Sequence, residues 1–278
     1  MRVTYSVVPG FRPALGFTLF YLGLVVLLPL AALVLKSLEL SFSQVVALLS
    51  EARVVSAFKV SLWTSLLAAF LNLFIGFIIA WVLTRYRVPG RKVLDALVDL
   101  PFALPTAVAG IVLTTIYTPN GWLGQYLSSW GFKVAFAPPG IVIALLFIGL
   151  PFIVRTVQPV LVELDGALEE AAATLGASRL QTFWRVMLPN LIPALLTGFA
   201  LAFARGIGEY GSVIFIAGNM PHVSEIVPLV IVTKLEQYDY AGATVVALAM
   251  LLLSFSLLLF INGLQWWTRK LTGKEERS

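Results

Sequence analysis

The chain has 278 residues, 59% of them hydrophobic, and only 12% are charged where a soluble domain carries roughly a quarter. The charges are bunched between long uncharged runs and the mean hydropathy is +0.94. This excludes a large soluble core and indicates an integral membrane protein. The net charge of +5 sits on residues flanking apolar runs, so membrane orientation rather than nucleic-acid binding accounts for it, and the absence of cysteine excludes disulfides and thiolate metal sites.

Arg2 and Arg12 precede an uncharged run from Pro13 to Leu35. The run exceeds the roughly 20 residues a span requires and the roughly 7–15 of a secretory h-region, and no small-x-small cleavage site follows it. It is expected to be a retained first helix. Lys36 to Lys59 is mixed, and Leu48, Leu49, Ala52 and Val55 recur at helical spacing, which predicts a short amphipathic helix on the membrane surface. Val60 to Thr84 is the second span, followed by Arg85, Arg87, Arg91 and Lys92 around a Pro89-Gly90 turn. Leu100 to Phe132 is uncharged but too long for one straight helix. The third span is expected near Leu97–Tyr117, with Thr118 to Gly121 as a turn. Pro138 to about Val160 is the fourth, with Pro151 and Arg155 inside it. The fifth is expected over Leu191–Ala217, carrying Arg205 and Glu209. A polar connection from Gly218 to Tyr240 follows, with His222, read as an ordinary loop histidine because no second histidine is available to share a metal. The sixth span, Ala241–Trp267, ends on Trp266 and Trp267, which suit an interfacial aromatic belt, and on the cations Arg269, Lys270, Lys274 and Arg277.

The expected fold is therefore an all-α membrane protein with about six spans, which places both termini on one side. Alternate connections hold twelve cations against five on the opposite side. Positive residues favour the cytoplasm, so both termini and the connection at about 163–189 are expected to be cytosolic. Residues 1–55 would form the first helix and external segment, 56–268 the core domain, and 269–278 a basic tail. Neither an internal repeat nor a low-complexity segment is evident.

The cytosolic stretch from Glu170 to Pro189 is the most polar-patterned part of the chain. Asp165 and Gly166 can start a helix, and Glu169 and Glu170 fall where the helix dipole favours acids. Ala171, Ala172 and Ala173 form helix with little bulk, leaving a smooth face for a partner, and Gly176 is a natural stop. Ser178 with Gln181 fits a capping box for a second helix, on which Leu180, Phe183, Trp184, Met187 and Leu188 make one apolar stripe. Pro189 is tolerated near a helix start, so a new helix can begin there. Two short helices at an angle are expected, either docking a partner or packing on their own bundle.

Glu170-Ala171-Ala172, three residues, Gly176, nine residues, then Val186-x-Leu188-Pro189 resembles the "EAA" loop of the membrane subunits of binding-protein-dependent ABC importers, with Val186 replacing the usual isoleucine. The resemblance extends from about Ser56 to Trp267. It implies an importer type I permease-like fold whose loop seats in an ATP-binding subunit, with Glu169, Glu170, Ala171, Ala172, Gly176, Leu188 and Pro189 as the coupling residues. The chain has no Gly-x4-Gly-Lys-Ser/Thr phosphate loop, since Gly273-Lys274 leads into Glu275. It would thus be no enzyme and bind no cofactor, with ATP and magnesium used by a separate ATPase. Phe203-Ala204-Arg205-x-x-Gly208-Glu209-Tyr210-Gly211 resembles the sulfate and molybdate branch. Ile216 to Pro221 and Tyr117 to Gly124 are most like the T (or U) type of sulfate/thiosulfate permease. The implied partners are an ATP-binding subunit dimer, a W-type permease or a second copy of the chain, a periplasmic sulfate-binding protein and membrane lipid, in a bacterial inner membrane. Molybdate or tungstate import is the alternative, because no residue chemistry separates tetrahedral dianions of similar shape.

Two intramembrane constellations are open to more than one reading. Arg205 and Glu209 lie four apart with Ser212 nearby, and ionisable groups within a span face a cavity or each other. They form either a pore-lining cation site or a structural ion pair, and Glu209 neutralising Arg205 favours the second. Pro101 and Pro105 each remove a backbone donor, marking either a gate segment or an ordinary kink. Asp95 and Asp99 lie four apart without a catalytic signature. A self-contained secondary anion transporter would be expected to show more intramembrane carboxylates than Glu209 alone or two symmetric halves, and no His-Glu-x-x-His or Gly-x-Ser-x-Gly pattern suggests an intramembrane enzyme.

Overall fold

The computed structural model describes residues 10–164 and 166–271, without the side chains of Arg12 and 264–271. Asp165, Arg2, Lys274 and Arg277 lie outside the described residues, as do the side chains of Arg12, Trp266, Trp267, Arg269 and Lys270.

Every regular element among the described residues is helical. The first span is α1 (Phe11–Leu22) and α2 (Leu28–Ser37), joined by the π-helical turn Gly23–Leu27. Its apolar window is 0% buried by the rest of the chain. Next come α3 (Phe42–Leu49), opened by a Ser41–Gln44 capping box, and α4 (Ala52–Arg85). The predicted surface helix is thus divided: Leu48 and Leu49 end α3, whereas Ala52 and Val55 belong to the 34-residue α4. The region expected as one third helix is in three pieces, α5 (Arg91–Val98), α6 (Leu100–Ala103) and α7 (Thr106–Tyr117). Leu104 and Pro105 are extended between α6 and α7, because a residue before proline avoids helix and Pro105 offers no N–H to an α6 carbonyl. With 12 residues, α7 covers about 18 Å, short of a full bilayer core.

After α8 (Gly124–Ser129), α9 (Pro138–Glu163) runs unbroken through Pro151 and Pro159. α10 (Gly166–Thr174) and α11 (Arg179–Thr182) follow. α11 continues through the π-helical turn Phe183–Met187 into α12 (Leu188–Ile207), making one 29-residue helix from Arg179 to Ile207. The second short helix expected in the loop is therefore the base of a span, and no new helix starts at Pro189. The fifth span also stops at Ile207 rather than Ala217. Gly208 ends it, Glu209 lies beyond it, and α13 (Val213–Ile216) is separate. The supposed polar connection contains α14 (Val227–Glu236), whose Val227 and Val230 are buried. α15 (Tyr240–Leu271) closes the order. Among the described residues five helices are long and apolar enough to cross a membrane, with α7 as a shorter sixth apolar segment.

The core lies where α4, α9 and α12 cross. Between lipid-soluble helices the apolar effect is weak, so small residues that permit close approach decide the packing. Gly76 leaves room for Ile153, against whose Cβ an added methyl would stand 2.7 Å away. On the other side Gly198 admits the Ile153 Cα, which an added Cβ would approach to 3.0 Å. Ile153, Val154, Val157 and Leu191 are fully buried there. A second cluster joins Val54 and Ala57 of α4 to Val227, Val230 and Val246. Outside, Phe70, Phe74, Ile78, Phe255 and Leu259 are exposed, the apolar surface a bilayer covers.

Candidate functional site

The stretch from α10 to α11 is built by two caps set back to back. At the end of α10 the Ala177 N–H donates to the Ala172 carbonyl at 3.0 Å and the Gly176 N–H to that of Ala173 at 2.9 Å. These two bonds, with Gly176 at φ 81, are the Schellman arrangement that uses a left-handed residue to satisfy terminal carbonyls. Two residues on, the predicted capping box is present: the Gln181 N–H donates to Ser178 Oγ at 3.3 Å and the Ser178 N–H to Gln181 Oε1 at 2.8 Å. The chain therefore turns sharply between α10 and α11 with both helix ends satisfied.

The predicted contact residues separate into two groups. Glu170, Ala171 and Gly176 are exposed. Glu169 instead faces its own bundle, its Oε1 2.8 Å from the Arg85 NH2 in an ionic contact without hydrogen-bond alignment. Arg85 in turn lies over the Trp81 ring at 5.8 Å. Ala172 is buried, and Leu188 and Pro189 are half-buried, with Leu188 packed on the main core. The expected single apolar stripe is split as well: Met187 is buried and Phe183 half-buried among Phe77, Trp81 and Trp184, while Leu180 and Trp184 are exposed. Together with Leu168 and the 88%-exposed Leu175, they give this polar turn an apolar outer surface. Leu168 and Leu175 were not singled out in the sequence, because hydrophobic residues in a hydrophobic chain carry no signal until their exposure is known.

The second constellation does come together. Arg205 NH1 contacts Glu209 Oε2 at 2.6 Å. The backbone N–H and the hydroxyl of Ser212 donate to Glu209 Oε1 at 2.9 and 3.0 Å. Glu209 and Ser212 are buried, while Arg205 is half-buried. This carboxylate is saturated by three contacts and ties the turn after α12 back to α12. α7 packs tightly on the same turn: any side chain at Gly110 would strike the Ser212 backbone, and any at Gly211 would strike Thr106. Pro105 caps the start of α7 and is exposed, and Pro101 is half-buried in the first turn of α6.

Asp95 and Asp99 have a structural partner that spacing could not disclose. Arg155 of α9 donates from Nε and NH2 to Asp99 at 2.8 and 2.6 Å and from NH1 to Asp95 at 2.9 Å. Its NH2 also donates to the Asp95 carbonyl at 2.9 Å, and Gln158 donates to Asp95 Oδ1 at 3.1 Å. The broken third span is thereby latched to α9. At the opposite end of the bundle, Arg53 makes a bidentate pair with buried Glu225, at 2.8 and 2.6 Å.

Residues 72–270 match the family of the binding-protein-dependent transport system inner membrane component. The chain is 50% identical over 260 residues to the probable sulfate transport system permease protein cysT of Nephroselmis olivacea, covering 94% of this chain and 92% of that protein. It is 48% identical over 259 residues to the sulfate transport system permease protein CysT of Escherichia coli strain K12, covering 93% and 94%. Among solved structures it is similar in fold to a bacterial ABC transporter involved in the import of the acidic polysaccharide alginate. There the TM-score is 0.76 at 18% identity, covering 92% of this chain and 94% of that one.

Proposed function

From the premise that the chain belongs to the binding-protein-dependent transport system inner membrane components, we propose that it is the membrane-spanning permease subunit of an ATP-driven sulfate importer. Thiosulfate, of the same charge and similar shape, is a second substrate in this reading. The observation that carries coupling is the exposed turn between α10 and α11, with Leu175, Leu180 and Trp184 outward around Gly176, on a chain that has no phosphate loop of its own. The substrate rests on the near-half identity to sulfate permeases along almost the whole chain.

In this function a dimer of ATP-binding subunits receives Glu170, Ala171 and the exposed leucines in a cleft. A periplasmic sulfate-binding protein delivers the anion at the opposite face. A W-type permease or a second copy of the chain completes the pathway. Both termini lie in the cytoplasm, where the excess of cations places them. ATP binding closes the motor and displaces the α10–α11 turn, and α12 carries that displacement to the Gly208–Ser212 turn against which α7 is packed. The breaks at Pro101 and Pro105 let α6 and α7 shift separately, while Arg155 keeps α5 and the start of α6 with α9. The Arg205–Glu209–Ser212 set holds the outer end of α12 in register.

The test is uptake of labelled sulfate, thiosulfate and molybdate into proteoliposomes, with the binding protein, ATP-binding subunit and partner permease each supplied or withheld. Sulfate and thiosulfate should accumulate only in the complete ATP-fed system. Uphill uptake without nucleotide, or preference for molybdate, would overturn the proposal.

A further inference from the structure

A groove of about 340 Å³ opens between α4 and α5, walled by Ile78, Val82 and Leu83 of α4, Leu94 and Leu97 of α5, and Leu150 of α9. Its walls are apolar, and Ile78, Leu94 and Leu97 are exposed. The α4–α5 connection closes one end of this groove, and on it and the first turn of α5 lie three cations, Arg87, Arg91 and Lys92, all exposed and in no ion pair among the described residues. The nearby acids are already engaged: Asp95 with Arg155 and Gln158, Asp99 with Arg155, and Glu169 with Arg85. The cations fall where α4 leaves the hydrocarbon, since its uncharged run ends at Thr84. The α4 wall from Ile78 to Leu83 lies within about 9 Å of that exit at 1.5 Å per residue. An apolar slot ending at a cluster of exposed cations, of which only Arg91 feels a neighbouring acid, Asp95, has the chemistry of one ligand, a lipid with an anionic head.

We propose that this groove binds the acyl chain of an anionic phospholipid whose phosphate is held by Arg87, Arg91 and Lys92. The leaflet it occupies follows from the orientation proposed above, but the site itself does not depend on that orientation or on the substrate. The bound lipid braces α5, the helix that carries Asp95 to Arg155.

The test uses the purified transporter complex in native mass spectrometry, with phosphatidylglycerol and phosphatidylcholine as probes. Phosphatidylglycerol should be retained in preference. The preference should fall about fivefold for each cation removed in the series Arg87→Gln, Arg91→Gln and Lys92→Gln, taking about 1 kcal/mol per basic residue at an anionic surface. Val82→Trp, which fills the groove and leaves the cations in place, should reduce retention of both lipids at this site. Equal retention of the two lipids by the unaltered complex, or an unchanged preference in the triple variant, would overturn the proposal. So would photo-cross-linking from Leu97 that captures a partner subunit instead of lipid.

Discussion

Replacing Gly176 separates the two roles its position suggests. At φ 81 the backbone is left-handed, and a Cβ added there meets no atom of the chain within 4 Å. The intrachain cost of a side chain is thus almost purely conformational, about 1–2 kcal/mol for an ordinary L-residue, less for asparagine and more for a β-branched one. That is a 5–30-fold change in the population of the correct turn, too small to unfold a bundle whose core at Ile153 lies elsewhere. Gly176→Asn, Gly176→Ala and Gly176→Val should therefore insert at normal levels. ATP hydrolysis stimulated by the loaded binding protein, and sulfate uptake, should fall in that order. Asparagine is larger than alanine yet tolerates the left-handed conformation, so its rank decides the cause. If Asn were the worse of the two, lack of space against the motor and not the turn would be limiting. Full transport by the Val variant would refute the coupling role altogether.

Arg205→Gln should lower the amount of assembled transporter, by about 1–3 kcal/mol of stability, because it takes the cation from Oε2 of the buried Glu209 and leaves only the two Ser212 bonds to Oε1, and should leave the apparent affinity for sulfate unchanged. A raised KM at normal assembly would instead make Arg205 a substrate contact. Gly76→Ala should lower the thermal unfolding temperature, costing about 1–3 kcal/mol, because its methyl meets Ile153 Cβ at 2.7 Å, whereas Gly263→Ala, facing open space, should not. Asp95→Asn should lower the thermal unfolding temperature, because it removes the carboxylate to which Arg155 and Gln158 donate, and an unchanged temperature would show that this latch to α9 contributes nothing.

The spans were readable because uncharged runs are a bulk property, and the Ser178–Gln181 box because capping is local. The Schellman turn was half visible: Gly176 announced a stop, but the bonds to Ala172 and Ala173 exist only in three dimensions. What sequence could not supply was direction around a helix. Glu169 and Glu170 are adjacent and identical, yet one turns in to Arg85 while the other faces out. Long-range pairs were equally hidden, since Asp95 meets Arg155 across 60 positions and Arg53 meets Glu225 across 172. One boundary error has a local cause. The helix opened by Ser178 and Gln181 was expected to be short, with a new one starting at Pro189, but Pro189 sits in the first turn of α12, where the π-helical turn hands the backbone on without a break.

In the proposed coupling, that unbroken backbone makes the segment from Arg179 to Ile207 a lever. Its 29 residues amount to about 44 Å of rod, with the fulcrum where α12 crosses α9 at Gly198. Pro193 inside α12 and the π-helical turn Phe183–Met187 are the places where a push is lost as bending, and beyond them a tilt of a few degrees about Gly198 moves Arg205, about 10 Å further along, by roughly half to one ångström. Stroke length is then set by where the pivot lies, and residues that reposition it, Gly198 first among them, govern how far the outer end travels without touching either fuel or cargo.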